Sequence, residues 1–130
     1  MTYSALQIND LNMAAFLLHQ STESFYNAIL LVLTGYKKRT HDIEELAKLA
    51  IIFSDNKELS KIFPCDTKEN KDRFTLLKKA YIDARYDDNY HITKEQLLYL
   101  IERVEILKKM TEEICQARIS WLDGQTEKNQ

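Results

Sequence analysis

A polar patch lies inside the first predicted helix, which is otherwise apolar on its buried side. His19, Gln20 and Glu23 fall within this patch. Gln20 and Glu23 are three residues apart, so they share one helix face, close to the predicted core. A polar group in such a place needs a hydrogen-bonding partner or a ligand. The patch therefore predicts a ligand site, a solvated helix edge, or a buried hydrogen bond to a neighbouring helix.

A basic segment precedes the second predicted helix. It reads Lys37-Lys38-Arg39-Thr40-His41-Asp42, with its cations directly before the helix start. The free backbone N–H groups of a first helical turn also attract anions, so a phosphate would suit this place. Basic loops are also common on solvated surfaces, and the sequence leaves both interpretations open.

Aromatic and basic residues meet near the end of a later predicted helix. Tyr81 and Arg85 are four residues apart and share a face, and Lys78 falls on nearly the same face. The planar fork of an arginine matches a phosphate, and tyrosine rings can stack on a base. The alternative is that Arg85 only stabilises the last carbonyl groups of its helix.

Arg85 and His91 are separated by five residues. An arginine can hold a phosphate while a histidine moves a proton, and such a pair would suffice for RNA cleavage without a metal. The sequence has no glycine-rich phosphate loop, no His-Glu-x-x-His motif and no carboxylate cluster with metal-ligand spacing. No metal and no cofactor are therefore predicted.

Long helices must position these residues, because apolar side chains recur at spacings of three and four. Two capping-box patterns, Asp66-Thr67-Lys68-Glu69 and Thr93-Lys94-Glu95-Gln96, mark helix starts. The predicted elements are a helix over Leu11–Leu33, a second helix capped by Thr40, a short piece from about Ser54 to Pro64, a helix over Lys68–Arg85, and a last helix from Thr93 to about Trp121.

Composition favours an all-α protein. The chain of 130 residues holds only two glycines and one proline, which is too few for the many turns of a sandwich or barrel. The prediction is an antiparallel up-and-down bundle of four to five helices, two of them long. It forms a single domain over residues 1–122, and a disordered tail follows over residues 123–130.

Charge and cysteine content narrow the class of protein further. The net charge of -2 gives no basic signature over the whole chain, so any anion site must be local. Cys65 and Cys115 have no CxxC spacing, and they predict free thiols rather than a disulfide. The longest apolar run, from Ala28 to Leu33, is far shorter than the roughly 20 residues of a membrane span. A cytoplasmic protein is therefore expected, with no membrane partner.

Three motifs in order resemble the HEPN domain family, in the type found with minimal nucleotidyltransferases in prokaryotes. The resemblance covers about Leu11 to Ile114. The matching segments are His19-Gln20-Ser21-Thr22-Glu23, Thr40-His41-Asp42-Ile43-Glu44-Glu45-Leu46 and Tyr81-Ile82-Asp83-Ala84-Arg85-Tyr86-Asp87-Asp88-Asn89-Tyr90.

The resemblance implies a bundle of four or five helices, often a homodimer, with a polar groove near the start of the second helix and the Arg-Tyr turn. Some family members are metal-independent RNases that use an Arg-x(4–6)-His motif, and two copies of this motif meet across the dimer. Arg85 and His91 fit this spacing. The chain departs from that pattern in that Tyr86 follows Arg85, where a small polar residue is more usual, and in that Asp87 and Asp88 add negative charge.

Three hypotheses follow from the residues and the resemblance. The first is a nucleotide- or RNA-binding module that acts as a dimer with or beside a minimal nucleotidyltransferase. The second is a metal-independent endoribonuclease, the toxin of a toxin-antitoxin pair, with Arg85 and His91 as its catalytic residues. The third is a purely structural dimerisation or interaction domain. The predicted ligand-binding residues are Gln20, Glu23, Arg39, His41, Lys79, Tyr81, Arg85, Tyr86 and Tyr90.

Overall fold

Five α-helices make up most of the chain. The structure is a computed structural model that describes residues 5–128, with side chains described over residues 8–125. The elements are α1 (Ala5–Thr34), α2 (Ile43–Ser54), a 3₁₀ turn (Lys57–Lys61), α3 (Lys68–Lys79), α4 (Asp83–Tyr86) and α5 (Lys94–Lys128). No strand occurs within the described residues, and the predicted all-α class with up to five helices, two of them long, is confirmed.

The helix ends agree with the sequence in part. Thr93 and Gln96 form the predicted capping box at the start of α5: the Thr93 hydroxyl accepts from the Gln96 N–H (3.1 Å), and the Gln96 side chain accepts from the Thr93 N–H (2.9 Å). Gly35 ends α1 with a φ of 82°, in the left-handed region that favours glycine. α1 begins at Ala5, six residues before its predicted start at Leu11.

Two predicted caps are replaced by neighbouring residues. Asp42, rather than Thr40, caps α2, and its carboxylate accepts from the N–H groups of Glu44 (3.0 Å) and Glu45 (3.3 Å). Thr67 caps α3 through the N–H of Asn70 (3.1 Å), in place of the predicted box that begins at Asp66.

The helix predicted over Lys68–Arg85 is broken into α3 and α4. The last turn of α3 tightens, because the N–H of Ala80 bonds to the carbonyl of Leu77, only three residues back (3.2 Å). The chain re-enters a helix at Asp83. α5 continues beyond its predicted end at Trp121, so residues 123–128, predicted to be a disordered tail, are helical. Residues 1–4 of the predicted domain and 129–130 of the predicted tail lie outside the described residues.

The two long helices run in the same direction, which corrects the predicted antiparallel packing. Near the start of both helices, the amide of Asn12 donates to the carbonyl of Tyr90 (3.2 Å), just before α5. Further along, the thiol of Cys115 donates to the carbonyl of Ala28 (3.9 Å). Residue numbers therefore rise together along α1 and α5, and the bundle is not a simple up-and-down arrangement.

α2 also runs alongside α1 in the same direction. Segment 35–42 returns along α1, where the N–H of Lys38 bonds to the side chain of Asn27 (3.2 Å). This return places the start of α2 beside the middle of α1. α3 runs the other way, because Arg73 lies over the ring of Tyr99 while Leu76, nearer the end of α3, accepts from the hydroxyl of Tyr90, before α5.

Two apolar clusters form the core within the described residues. The first surrounds the start of α5 and the end of α3, and the second fills the space between α1, α2 and the middle of α5. Their buried members are Ala15, Ile43, Phe74, Leu77, Ala80, Tyr90, Ile92, Leu97, Leu100 and Val104 in the first cluster, and Tyr26, Ile29, Leu30, Leu46, Ala50, Leu59, Ile62 and Leu107 in the second.

Arg103 connects the long α5 to the short segment after α2. Its guanidinium donates to the carbonyl groups of Ile62 and Lys61, at the end of the 3₁₀ turn. Within the described residues, no helix is long and apolar enough to cross a membrane. Cys65 is exposed, Cys115 is half-buried, and both are free thiols, as the sequence predicted.

Candidate functional site

One histidine is held from two sides at the start of α2. The Nδ1 atom of His41 hydrogen-bonds to the carboxylate of Glu23, which projects from α1. The ring of His41 also stacks on the ring of Tyr81, with centroids 4.0 Å apart and planes 17° from parallel. Tyr81 lies in the break between α3 and α4. Three separate parts of the fold thus meet at His41.

His19 lies beneath this arrangement and is completely buried. Its Nε2 donates to the backbone carbonyl of His41 (3.0 Å), and its ring lies 5.5 Å from that of Tyr81. Because a carbonyl only accepts, Nε2 carries the hydrogen, and the neutral ring leaves Nδ1 as an acceptor. Nδ1 is buried and has no hydrogen-bond partner among the described residues.

The burial of His19 lowers its pKa below the usual 6.5, since a buried imidazolium loses its hydration. The nearby carboxylate of Glu23 and the hydrogen bond to His41 oppose this change, but desolvation is the largest cause. His19 is therefore a neutral support that fixes the backbone of His41.

A groove of about 420 Å³ opens beside His41, between the start of α2 and the α3–α4 break. The salt bridge between Lys78 and Glu44 (2.6 Å) joins two of its lining residues and lowers the pKa of the Glu44 carboxyl group. Lys79 is exposed and forms no ion pair with the described residues. The lining residues are His41, Asp42, Ile43, Glu44, Lys78, Lys79, Tyr81, Ile82 and Asp83.

The start of α2 offers less to a phosphate than the sequence suggested. The side chain of Asp42 already accepts from the N–H groups of Glu44 and Glu45, and its carboxylate brings negative charge to the helix start. A phosphate would have to displace this cap to use those donors. An anion in the groove would therefore have to be held by side chains rather than by the helix start.

Arg85 lies next to the groove and contacts aromatic rings. Its Nε and Nη2 donate to the carbonyl of Tyr81 (3.2 and 2.8 Å), and its guanidinium lies 4.2 Å from the ring centroid of Phe16. Its guanidinium also lies 5.0 Å from the ring of Tyr86, which is 74% exposed. Arg85 thus pairs with a carbonyl group in the α3–α4 break, in line with the alternative in which it stabilises carbonyl groups at a helix end, and it remains exposed.

The structure brings some predicted site residues together and separates others. Glu23, His41 and Tyr81 are in direct contact, Lys79 lines the same groove, and Arg85 lies beside it. Tyr86 is exposed beside Arg85. The other predicted residues lie outside this group: Gln20 is half-buried without a side-chain hydrogen bond to the described residues, Arg39 and His91 are exposed, and Tyr90 is buried.

Tyr90 belongs to the core rather than to a binding surface. Its side chain is 5% exposed, and its hydroxyl donates to the carbonyl of Leu76 (2.7 Å). Burial raises the pKa of this hydroxyl. Arg85 and His91 form no contact with each other within the described part of the chain, so one copy does not assemble the predicted catalytic pair.

Sequence reasoning missed the roles of His19, Glu44 and Lys78 at the site. His19 was recognised only as part of a polar patch, because its partner is a backbone carbonyl that no residue type reveals. Lys78 was recognised for its helix face, but its partner Glu44 is 34 residues away. The sequence signal for the role of His19 was its place on the buried side of α1, four residues before the carboxylate of Glu23. Among the described residues, no three metal-binding side chains lie close enough together to hold an ion.

Comparison with known proteins agrees with the helical fold. Residues 3–114 match the HEPN domain, and the chain belongs to this family. The match supports a helical domain of a nucleotide- or RNA-related class. None of the curated protein sequences matches the chain.

Proposed function

We propose that this protein is a nucleotide- or RNA-binding module whose ligand lies in the groove beside His41. The observation that carries the proposal is the fixed position of His41 between Glu23 and Tyr81 at the groove. An exposed histidine normally keeps its rotamer freedom. Holding one in place with a carboxylate and an aromatic ring prepares it for contact with a ligand.

The size and lining of the groove support the same function. Its volume of about 420 Å³ falls in the range of small-molecule sites, which is roughly 300–1,000 Å³. Lys79 supplies a cation without an ion-pair partner among the described residues, and the exposed ring of Tyr86 offers a stacking surface nearby. A phosphate and a base can each find a suitable partner there.

The resemblance to the nucleotidyltransferase-associated type suggests the setting of this module. We propose that it acts in the cytoplasm as a homodimer, with or beside a minimal nucleotidyltransferase. The exposed apolar side chains of Met13 and Leu17 on α1 support a partner surface, which is also the basis of the alternative structural role. Light scattering after size-exclusion chromatography tests this point, and a monomer at micromolar concentration would contradict the dimer.

Isothermal titration calorimetry tests binding in the groove. AMP, ATP and a ten-nucleotide RNA of mixed sequence are titrated into the protein. Binding of at least one probe is expected, with about tenfold weaker affinity in Lys79→Ala because one charge-assisted contact is lost. Lys108→Ala is the matched control, since Lys108 is an exposed lysine on α5 that does not line the groove.

The outcome of this titration separates the groove from other surfaces. Equal losses of affinity in Lys79→Ala and Lys108→Ala would place binding elsewhere. No heat of binding with any of the three probes would contradict the proposed function.

The alternative enzymatic function depends on Arg85 and His91. Both side chains are exposed and lie nine residues or fewer before the start of α5, so they are accessible to RNA. In this alternative the protein is a toxin-type RNase: His91 moves a proton and Arg85 stabilises charge on the phosphorus centre, with two copies contributing across a dimer. His91→Ala would then abolish RNA cleavage in the presence of EDTA, whereas unchanged cleavage would eliminate these roles.

A further inference from the structure

The contact with Glu23 determines which ring nitrogen of His41 carries the hydrogen. A carboxylate only accepts hydrogen bonds, so the Nδ1 atom of His41 must be the protonated nitrogen. In the neutral ring, Nε2 is then an acceptor with a free lone pair. It forms no hydrogen bond with the described residues, and His41 lines the groove. The ring cannot turn over without losing its contact with Glu23.

A second acceptor lines the same groove. The carboxylate of Asp83 is half-buried there and has no side-chain hydrogen bond to the described residues. Lys78 is already paired with Glu44, which leaves Lys79 as the lining cation without an ion pair in the described part of the chain. The groove thus offers two hydrogen-bond acceptors, Nε2 of His41 and the carboxylate of Asp83, and one available cation, Lys79.

We propose that His41 and Asp83 recognise the sugar hydroxyl groups of a ribonucleotide, which makes the groove selective for ribose over deoxyribose. This inference rests on the proposed nucleotide-binding function and identifies its substrate class. Phosphate oxygens at neutral pH carry no hydrogen to donate, so they do not suit either acceptor. Sugar hydroxyl groups donate readily, and carboxylates are well suited to bind a ribose hydroxyl.

The position of the cation agrees with this assignment. In a nucleotide the sugar lies between the phosphate and the base. With the sugar against His41 and Asp83, the phosphate reaches Lys79. An N–H group of the base is the other kind of donor that could reach Nε2, but its position differs from base to base, whereas every ribonucleotide carries the 2′-hydroxyl in the same position. Glu23 is a positioning residue in this arrangement, because it acts through His41.

Paired titrations at about pH 8 test the selectivity. The probes are ATP against 2′-deoxyATP, ITP as a nucleotide whose base lacks the amino group, and a ten-nucleotide RNA against DNA of the same sequence. A ribose preference of about five- to tenfold is expected, the size of one hydrogen bond. ITP is expected to bind as tightly as ATP.

Variants assign the preference to these residues. His41→Asn can still reach towards Glu23 but lacks an acceptor at the Nε2 position, and it is expected to reduce the ribose preference to near unity. Asp83→Ala is expected to weaken ATP and 2′-deoxyATP alike, because the 3′-hydroxyl group that it would accept from is common to both. Glu23→Ala is expected to lower the preference, and Glu23→Asp to restore part of it, which a purely structural role would not do. Lys79→Ala weakens ribose and deoxyribose probes equally.

The outcomes distinguish this inference from the function on which it rests. Equal affinity for the ribose and deoxyribose probes would overturn the inference alone. A ribose preference that is unchanged in His41→Asn, together with weaker binding of ITP than of ATP, would also overturn it. Absence of binding to every probe would overturn the proposed function and the inference together. Circular dichroism melting of each variant shows whether it is folded.

Discussion

His19 connects the core to the groove through a single hydrogen bond. Its ring is completely buried, and its Nε2 donates to the carbonyl of His41. A carbonyl can accept from either the neutral or the charged ring, and burial is the largest influence on the balance between the two states. Burial removes that hydration and lowers the pKa of His19 below 6.5.

The stability of the protein is expected to depend on pH through His19. As the pH falls below about 6.5, the unfolded chain binds a proton at this histidine while the folded protein does not. The free energy of unfolding therefore decreases as the pH decreases, until the pH reaches the lowered pKa of the folded protein. Between pH 7.5 and 5.5 the loss from this group is at most about 1.4 kcal/mol.

Urea denaturation of His19→Gln checks this expectation. The glutamine amide can donate to the same carbonyl but does not titrate, so the variant is expected to lose less stability than the wild type over this pH range. Other groups titrate in both proteins, and the comparison cancels them. Identical pH dependence in the two proteins would show that His19 is not the responsible group.

At this scale the sequence selected several residues that the fold brings together, but it did not indicate their geometry. Glu23, His41 and Tyr81 were all selected as ligand-binding residues, and they are in direct contact. Tyr90 was selected as a tyrosine close to Arg85 in the sequence, but its ring is in the core. Residue type identifies a side chain that can bind. The fold decides whether it faces solvent.

At the scale of the elements, short patterns predicted helix starts only where both partners of the pattern were present. The side chains of Thr93 and Gln96 accept hydrogen bonds from each other's backbone N–H groups, so this helix start is determined locally. Thr40 and Asp42 are both good caps, and the choice between them follows from where the return segment meets α1. No proline or glycine marks the break at Ala80. At this break the ring of Tyr81 packs against His41 and against Phe16 of α1, contacts that the local sequence does not reveal.

The cap of α5 is expected to contribute measurably to stability. Thr93→Ala removes the side-chain acceptor for the Gln96 N–H, and the free energy of unfolding is expected to fall by about 1 kcal/mol. Thr93→Ser keeps the hydroxyl and is the matched control, with a smaller change. Urea denaturation measures both variants. An alanine variant as stable as the serine variant would mean that the cap is replaced by solvent without loss.

At the scale of the molecule, the relative direction of the helices could not be read from the sequence. Apolar stripes determine which face of a helix is buried, but they are unchanged when the helix is reversed. The direction of α2 depends on the return of segment 35–42 along α1, which the bond between Lys38 and Asn27 holds in place. The length of this segment, eight residues, did not indicate that the chain changes direction twice between α1 and α2.

A disulfide tests the parallel arrangement of α1 and α5. Ala28→Cys, in a Cys65→Ser background, places a thiol where Cys115 already contacts the carbonyl of residue 28. Mild oxidation is expected to join the two cysteines within one chain, with the loss of two hydrogen atoms by mass spectrometry and faster migration in non-reducing electrophoresis.

The matched control moves the new cysteine along the same helix. Ala14→Cys lies fourteen residues earlier, about 21 Å away along α1 and on nearly the same face. It is half-buried like Ala28, so the two thiols differ mainly in their position along α1. In a parallel pair it is too far from Cys115 to form a disulfide, whereas an antiparallel pair would bring it close and take Ala28 away. A disulfide in the Ala14 variant and none in the Ala28 variant would therefore show that α5 runs in the opposite direction to α1.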